Sequence, residues 1–334
     1  MKILICGGSG FIGSAFIRNL VQKNPQDLIT NLDNLSFGSN QDNLKNLKNN
    51  PNYQFINNDI RNENFILNLV KDFDVIVNFA AESHVDRSIA NPKSFIETNV
   101  LGTYSILEAI RKHDKLFIHV STDEVYGDAF NQQTFDEASV INPSNPYSAS
   151  KAAADHLVAS YHRTYGIKSI TTRSSNNFGP MQFPEKLIPK TIIRAIKNLS
   201  VPIYGDGQQI RSWIHVYDHV NAIQSLISDG KPGNVYNITA YEEISNKIIV
   251  EKILDILNYS HDLIEFVPDR PGHDRRYSIN SSKLETELNW KPKYDFDQAL
   301  EETVSWYLEN KEWWNPLIND QILHPQPWTL NWSK

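Results

Sequence analysis

Lys2-Ile-Leu-Ile-Cys6 runs directly into Gly7-Gly8-Ser9-Gly10-Phe11-Ile12-Gly13, and the reading of this junction decides the fold. One charged residue followed by a short apolar run predicts a buried strand. The glycines that follow open a segment in which Ala15, Phe16, Ile17 and Leu20 recur at helical spacing. A glycine turn between strand and helix lets the backbone approach a pyrophosphate, whose charge rests on the free N–H groups of the positive helix N-terminus. The pattern can be phased as Gly8, Gly10, Gly13 or as Gly7, Gly10, Gly13. Taken alone it also fits a flexible turn, so the context decides. Asp33 ends the next apolar run, twenty residues beyond Gly13, the offset at which a carboxylate takes a ribose 2′-hydroxyl. That carboxylate would repel a 2′-phosphate, so the expected cofactor is NAD rather than NADP. Gly7, Gly10, Phe11, Ile12, Gly13 and Asp33 are the first cofactor candidates. Asp59 and Ile60, just after the third strand, are placed to cap an adenine, though Asp59 reads equally well as a plain turn acid. Phe79-Ala80-Ala81, at the end of the fourth, is placed under the pyrophosphate and ribose.

Outward from the loop, apolar runs alternate with helical patterns. Ile3–Cys6, Leu28–Leu32, Tyr53–Ile56, Val75–Phe79, Leu116–Val120 and Ser169–Thr172 read as strands, which predicts an α/β fold. The expected core is a doubly wound parallel-sheet (Rossmann) NAD domain with helices on both faces. From about Asn176 prolines at 180, 184, 189 and 202 break the pattern, predicting a smaller mixed α/β substrate lobe. The expected partition gives 1–175, with a returning segment around 207–235, to the NAD domain, and 176–206 with 236–334 to the second lobe. The tryptophan-rich tail is expected to dock on the body of the protein.

At 334 residues, 40% hydrophobic and 21% charged, the chain has the composition of a globular protein with room for a core and an appended lobe. A formal net charge of -7 disfavours nucleic acid and anionic membranes as partners. The single cysteine, Cys6, excludes an internal disulfide and a cysteine-based metal site and fits a reducing compartment. No apolar run approaches the roughly 18 residues of a membrane span, and the first apolar run is too short for a signal peptide. A cytoplasmic protein without a metal site is expected.

Two further constellations carry chemistry. Tyr147-Ser-Ala-Ser-Lys151 follows Pro143 and Pro146, and an i, i+4 spacing puts phenol and ammonium on one helix face. For Tyr147 to act as a base near neutrality its pKa must fall from about 10 to about 7, worth roughly 4 kcal/mol. A neighbouring ammonium and a cationic nicotinamide would supply this together. Ser121-Thr-Asp-Glu-Val-Tyr-Gly127 ends the fifth strand, where ligands bind in doubly wound sheets. In a continued strand Asp123 and Glu124 would face opposite ways, so joint action requires the chain to leave strand geometry at Thr122. Two carboxylates held together have their pKa values driven apart, giving one acid and one base.

On these residues the chain resembles the extended short-chain dehydrogenase/reductases, and its Thr122-Asp-Glu triplet resembles that of the dTDP-glucose 4,6-dehydratases among them. Ala81-Glu-Ser-His-Val-Asp-Arg-Ser88, Glu97-Thr-Asn-Val-Leu-Gly-Thr103, Asn176-Asn-Phe-Gly-Pro180, Gln182-Phe-Pro-Glu-Lys-Leu-Ile-Pro189 and Arg270-Pro-Gly-His-Asp-Arg-Arg-Tyr277 extend the likeness along the chain. The resemblance implies a catalytic set of Thr122, Asp123, Glu124, Tyr147 and Lys151. It implies cofactor contacts from Ala80, Ala81, Ser83, Asn99, Tyr147 and Lys151 besides the residues above. It implies a nucleotide-sugar substrate, dTDP-glucose or UDP-glucose, held by Ser83, His84, Thr122, Asn176, Glu185, Lys186, Arg211, Asn237, Arg270, His273 and Tyr277. It also implies a homodimer, formed through the helices near Glu97 to Lys112 and Tyr147 to Tyr165. Arg211-Ser-Trp213 stands where the family more often has Arg-Asp-Trp, which leaves the nucleobase open. Nucleotide-sugar epimerases and decarboxylases share the loop and the Tyr-Lys pair but generally lack the triplet. A non-catalytic NAD-binding regulator would need none of the acids.

Overall fold

A computed structural model describes residues 1–130 and 133–332. The first half supplies six strands: β1 (Lys2–Cys6), β2 (Leu28–Asp33), β3 (Tyr53–Asn57), β4 (Val75–Asn78), β5 (Leu116–Thr122) and β6 (Ser169–Ser174). The remaining strands are β7 (Asn176–Phe178), β8 (Val201–Tyr204), β9 (Ile210–His215), β10 (Val235–Ile238), β11 (Glu243–Ser245) and β12 (Ile264–Val267). The principal sheet runs β10-β6-β5-β4-β1-β2-β3, with every pairing parallel. Strand order reverses between β1 and β4, the switch point at which such sheets open a crevice at their carboxyl ends.

Helices α1 (Phe11–Lys23), α2 (Glu63–Val70), α3 (Val85–Ala90), α4 (Lys93–Phe95), α5 (Thr103–His113) and α6 (Pro146–Tyr165) fill the first half. They are followed by α7 (Leu187–Ile196), α8 (Val216–Asp229), α9 (Asn246–Leu257), α10 (Ser282–Leu288) and α11 (Phe296–Glu309). β1 shows why both faces of the sheet must be covered. Ile3 and Ile5 enter the core shared with α1 and α8, whereas Leu4 and Cys6 enter the core under α2 and α5. Alternating residues of one apolar strand thus feed two cores. The Cys6 thiol is buried and its pKa is pushed up to about 12 by that burial and the nearby Asp33 charge, so it is an inert core group.

The second lobe holds the sheet β11-β9-β7, the pair β12-β8 and an aromatic core that includes Trp213, Phe296, Tyr307, Trp313 and Trp314. The boundary between the lobes differs from the expected one. β9, inside the expected returning segment, belongs to the second lobe, while β10, assigned mostly to that lobe, is the seventh strand of the principal sheet. Leu284 of α10 and Trp290 also pack into the first core. A strand as short as Val235–Ile238 carries no mark of which sheet it joins.

Candidate active site

The glycine loop resolves the phasing. Gly7 has φ +77, and a Cβ there would sit 2.5 Å from the Ala80 nitrogen; one at Gly13 would sit 2.3 Å from the Gly7 carbonyl oxygen. Gly7, Gly10 and Gly13 line the cavity, and Gly10 N–H donates to the Gly7 carbonyl. A Cβ on Gly8 would instead meet the Asn31 side chain, so Gly8 serves strand–helix packing. The Asp33 carboxylate is buried and accepts from the Ser9 and Leu35 amides and the Ser39 hydroxyl. Burial raises its pKa while these three donors lower it. The cradle that a Cβ would fill, with a carboxylate at its ribose end, fits a dinucleotide. Phe11, Ile12, Asp59, Ile60, Ala80, Ala81 and Ser83 line the same cavity, which continues to Thr122, Asp123, Glu124, Tyr147 and Lys151.

Local sequence places the reacting groups. Asn145 caps α6 reciprocally with Ser148, and Pro146 occupies the first turn, so Tyr147 is fixed at the helix start and Lys151 one turn later. The Lys151 ammonium donates to the Val120 carbonyl at 2.7 Å. β5 ends at Thr122, whose hydroxyl accepts from the Glu124 amide and caps a tight turn over Asp123–Tyr126. Gly127, φ +78, closes that turn where a Cβ would lie 2.1 Å from the Asn142 carbonyl oxygen. The chain therefore leaves strand geometry at Thr122, and both carboxylates line one cavity.

Burial governs the titrations. The Asp123 carboxyl is pushed up to about 8, first by desolvation and then by the Glu124 charge. Glu124 is also raised by burial, but Arg270, Arg211 and Lys186 all pull it back. Lys151 is lowered to about 8 by burial, with Asp155 opposing. In the protein by itself burial, first, and then the Glu124 charge raise the Tyr147 pKa, while the Thr122 hydroxyl lowers it. The Lys151 ammonium is turned toward the Val120 carbonyl, and a cationic nicotinamide beside the phenol would act against these charges.

A second cavity adjoins the first and shares Ser83, Glu124, Asn176, Glu185 and Lys186 with it. His84, Arg211, Arg270 and His273 line it as well. Arg270 pairs with the buried Asp86 at 2.6 Å, and Arg211 donates to the Ile210 and Asp274 carbonyls while stacking over Tyr277. His84 is lowered to about 4 by burial. Asp123 Oδ2, Ser121 Oγ, Asn176 Oδ1 and Arg270 Nε are buried without a hydrogen-bond partner, groups a polar ligand would satisfy.

The chain matches the family model described as GDP-mannose 4,6 dehydratase over residues 4–303. It is 44% identical to the dTDP-glucose 4,6-dehydratase of Salmonella typhimurium over 94% of this chain and 95% of that one. It belongs to the dTDP-glucose 4,6-dehydratase family. The crystal structure of such a dehydratase from Bacillus anthracis in complex with NAD superposes with a TM-score of 0.90 at 44% identity, covering 95% of this chain and 100% of that one. The Streptomyces venezuelae dehydratase, also crystallised with NAD, gives 0.93 at 41% identity over the same shares.

Within this dehydratase frame three expected contacts lie elsewhere. Asn237 sits on β10, fully buried, accepting from the Tyr126 hydroxyl and reaching the Phe135 carbonyl; it faces neither cavity. Asn99 clasps the Glu82 backbone and the Ser150 hydroxyl, so it holds the loop before Ser83 from behind. Tyr277 reaches the Asp274 carboxylate and, at 3.4 Å, Glu124, which places it behind the acid. Arg87 and Asp86 were present in the quoted His84-Val-Asp-Arg segment without an assigned role, yet line the two cavities. Tyr204, Lys190 and Trp213 also line the second cavity; Tyr204 stands in a segment that reads as an ordinary turn, and no sequence signal marked it.

Proposed function

We propose that this chain dehydrates a nucleoside-diphosphate glucose to the 4-keto-6-deoxy sugar nucleotide, with dTDP-glucose as first choice and UDP-glucose as the alternative. The observation that carries the proposal is the pair Asp123 and Glu124, the first buried and the second partly buried, lining one cavity with Tyr147, one held protonated and the other faced by three cations. A simple dehydrogenase or an epimerase has no use for such a pair.

The residues fit NAD, held by Gly7, Gly10 and Gly13 at its phosphates and by Asp33 at a ribose. When bound, it supplies the hydride acceptor and donor of the cycle and a positive charge beside the Tyr147 phenol. Tyr147 takes the C4 hydroxyl proton as hydride leaves C4, and Thr122 and Lys151 position the two oxygens. The C4 ketone acidifies the C5 proton. Glu124 removes it, and Asp123 gives its own proton to the C6 hydroxyl, which departs as water. The hydride taken from C4 would be given back at C6, Glu124 returns its proton to C5, and the proton taken by Tyr147 passes back to Asp123 through solvent, so neither an oxidant nor a net proton is consumed. Arg270, Arg211 and Lys186 suit the diphosphate.

Two copies associate through α5 with the helical turn Ile96–Gly102 that leads into it, where Ile96 and Leu101 are exposed, and through α6, where Tyr165 is exposed, and the protein works in the cytoplasm without nucleic acid. Among the described residues no helix is long and apolar enough to cross a membrane. Incubation with dTDP-glucose and UDP-glucose followed by mass spectrometry tests the activity. A product lighter by one water is expected, and a product of unchanged mass contradicts it.

A further inference from the structure

The segment after α11 stays in the second lobe's core through Trp313, Trp314 and Leu323 and then runs back to the first. Lys190 of α7 donates to the His324 carbonyl at 2.5 Å, and Arg194 donates to the Leu323 carbonyl. Both cationic residues are buried, so their charges are committed to holding the strap down. The next turn, Pro327–Thr329, packs on α3, and Trp328 meets Tyr204 edge-on at 4.7 Å. The strap ends on Trp332, whose indole N–H donates to the Pro327 carbonyl and so fixes the ring.

Trp332 touches neither cavity; it touches the groups that form a cavity wall. Its ring lies 5.7 Å from Phe37, edge to face, and the Arg87 guanidinium stands over Phe37 at 3.8 Å and over Trp332 at 5.8 Å. Phe37 comes from the loop after β2, and it meets Phe183 of the second lobe at 5.1 Å. Phe37, Arg87 and Phe183 all line the cavity that begins at the glycine loop. The loop after β2 carries no strand or helix of its own over Asn34–Asn40, so its aromatic contacts are what hold it against the opposite lobe. The family match ends at residue 303, so the strap lies beyond it.

We propose that Pro327–Trp332 is a retention strap for the cofactor, with Trp332 as the positioning residue that holds Phe37 and Arg87 closed over the dinucleotide. The proposal rests on NAD being the bound dinucleotide. A cycle that ends with its cofactor unchanged gains from keeping it between turnovers, and a wall braced by aromatic and cation–π contacts slows release without touching the reacting atoms.

The test uses the full chain holding NAD, with release followed by the fluorescence of excess NADH as it displaces the bound molecule. Trp332→Ala is expected to release NAD about ten-fold faster, and Trp332→Phe to stay within about three-fold of the parent, because it keeps an aromatic face. Turnover at saturating NAD and the melting temperature are expected to be unchanged in both. Equal release from Trp332→Ala and parent overturns the proposal, as does Trp332→Phe releasing as fast as Trp332→Ala. A general loss of melting temperature and saturated turnover assigns the tail to stability alone and overturns it too. A parent that holds no NAD overturns the cofactor reading and the strap together.

Discussion

At the glycine-loop end of the cavity the protein contributes backbone: Gly7 and Gly13 leave room that no side chain may enter, and Asp33 places a carboxylate there. At the far end it contributes buried charge instead: Asp123 and Glu124 against Arg211, Arg270 and Lys186, with Asp86 and Glu185 behind them. The first end is defined by shape and should be indifferent to pH and intolerant of a methyl group. The second is defined by a balance of charges, so single neutralisations and pH should move it strongly while small changes of bulk do not.

The comparison breaks most readily at Glu124. Glu124→Gln removes the base but leaves Tyr147 and the glycine loop in place. Water loss is expected to fall by about 10²–10⁴-fold, while single-turnover oxidation at C4, read as NADH absorbance, persists. Equal water loss in variant and parent would separate Glu124 from the chemistry. Next comes Arg270→Ala, which leaves the Asp86 carboxylate, 1% exposed, with the Tyr204 hydroxyl at 2.9 Å and the His84 ring at 3.9 Å. A loss of about 3–5 kcal/mol in denaturant unfolding is expected; an unchanged midpoint would mean that the charge balance is not part of the fold. At the other end Gly13→Ala is expected to weaken NAD binding by about 100-fold or more, measured by calorimetry, with no dependence on pH between 6 and 9, roughly the range over which Asp123 and Lys151 titrate.

A further test sharpens the comparison through pH. Asp123 titrates near 8 in the folded protein against an ordinary value of 3.8. The folded state therefore binds this proton more tightly, and the stability linked to it is full below about pH 4 and lost as pH rises through about 8. Asp123→Asn should flatten that part of the stability profile, and a profile identical to the parent's would contradict the assignment. The same proton is the one given to the C6 hydroxyl, so water loss should decline above about pH 8.

The difference between the two ends also explains what the sequence revealed. Gly7, Gly10, Gly13 and Asp33 stand at spacings fixed by one strand, one turn and one helix, so local rules suffice to read them. The same holds for Tyr147 and Lys151, one helical turn apart, and for Asp123 and Glu124, where the turn after Thr122 lies within the motif. The charge-balanced end is assembled from α3, β8, β9 and the Arg270–His273 loop, segments far apart in the chain. Asp86, Arg87 and Tyr204 gain their meaning only when those segments meet. Asn237 was misplaced for the same reason: nothing in Val235–Ile238 says that the strand joins β6 rather than the second lobe. The i, i+4 spacing of Tyr147 and Lys151 sets proximity on a helix but not where an ammonium points, and Lys151 points to Val120.

The most direct test of the central claim follows a label through a single cycle. dTDP-glucose carrying deuterium at C4 is turned over with enzyme-bound NAD, and the product is analysed by mass spectrometry and NMR. The account predicts a 4-keto-6-deoxy product, lighter by one water, with the deuterium now at C6. A product of unchanged mass with deuterium still at C4, or a dehydrated product whose label has been lost to solvent, would contradict it.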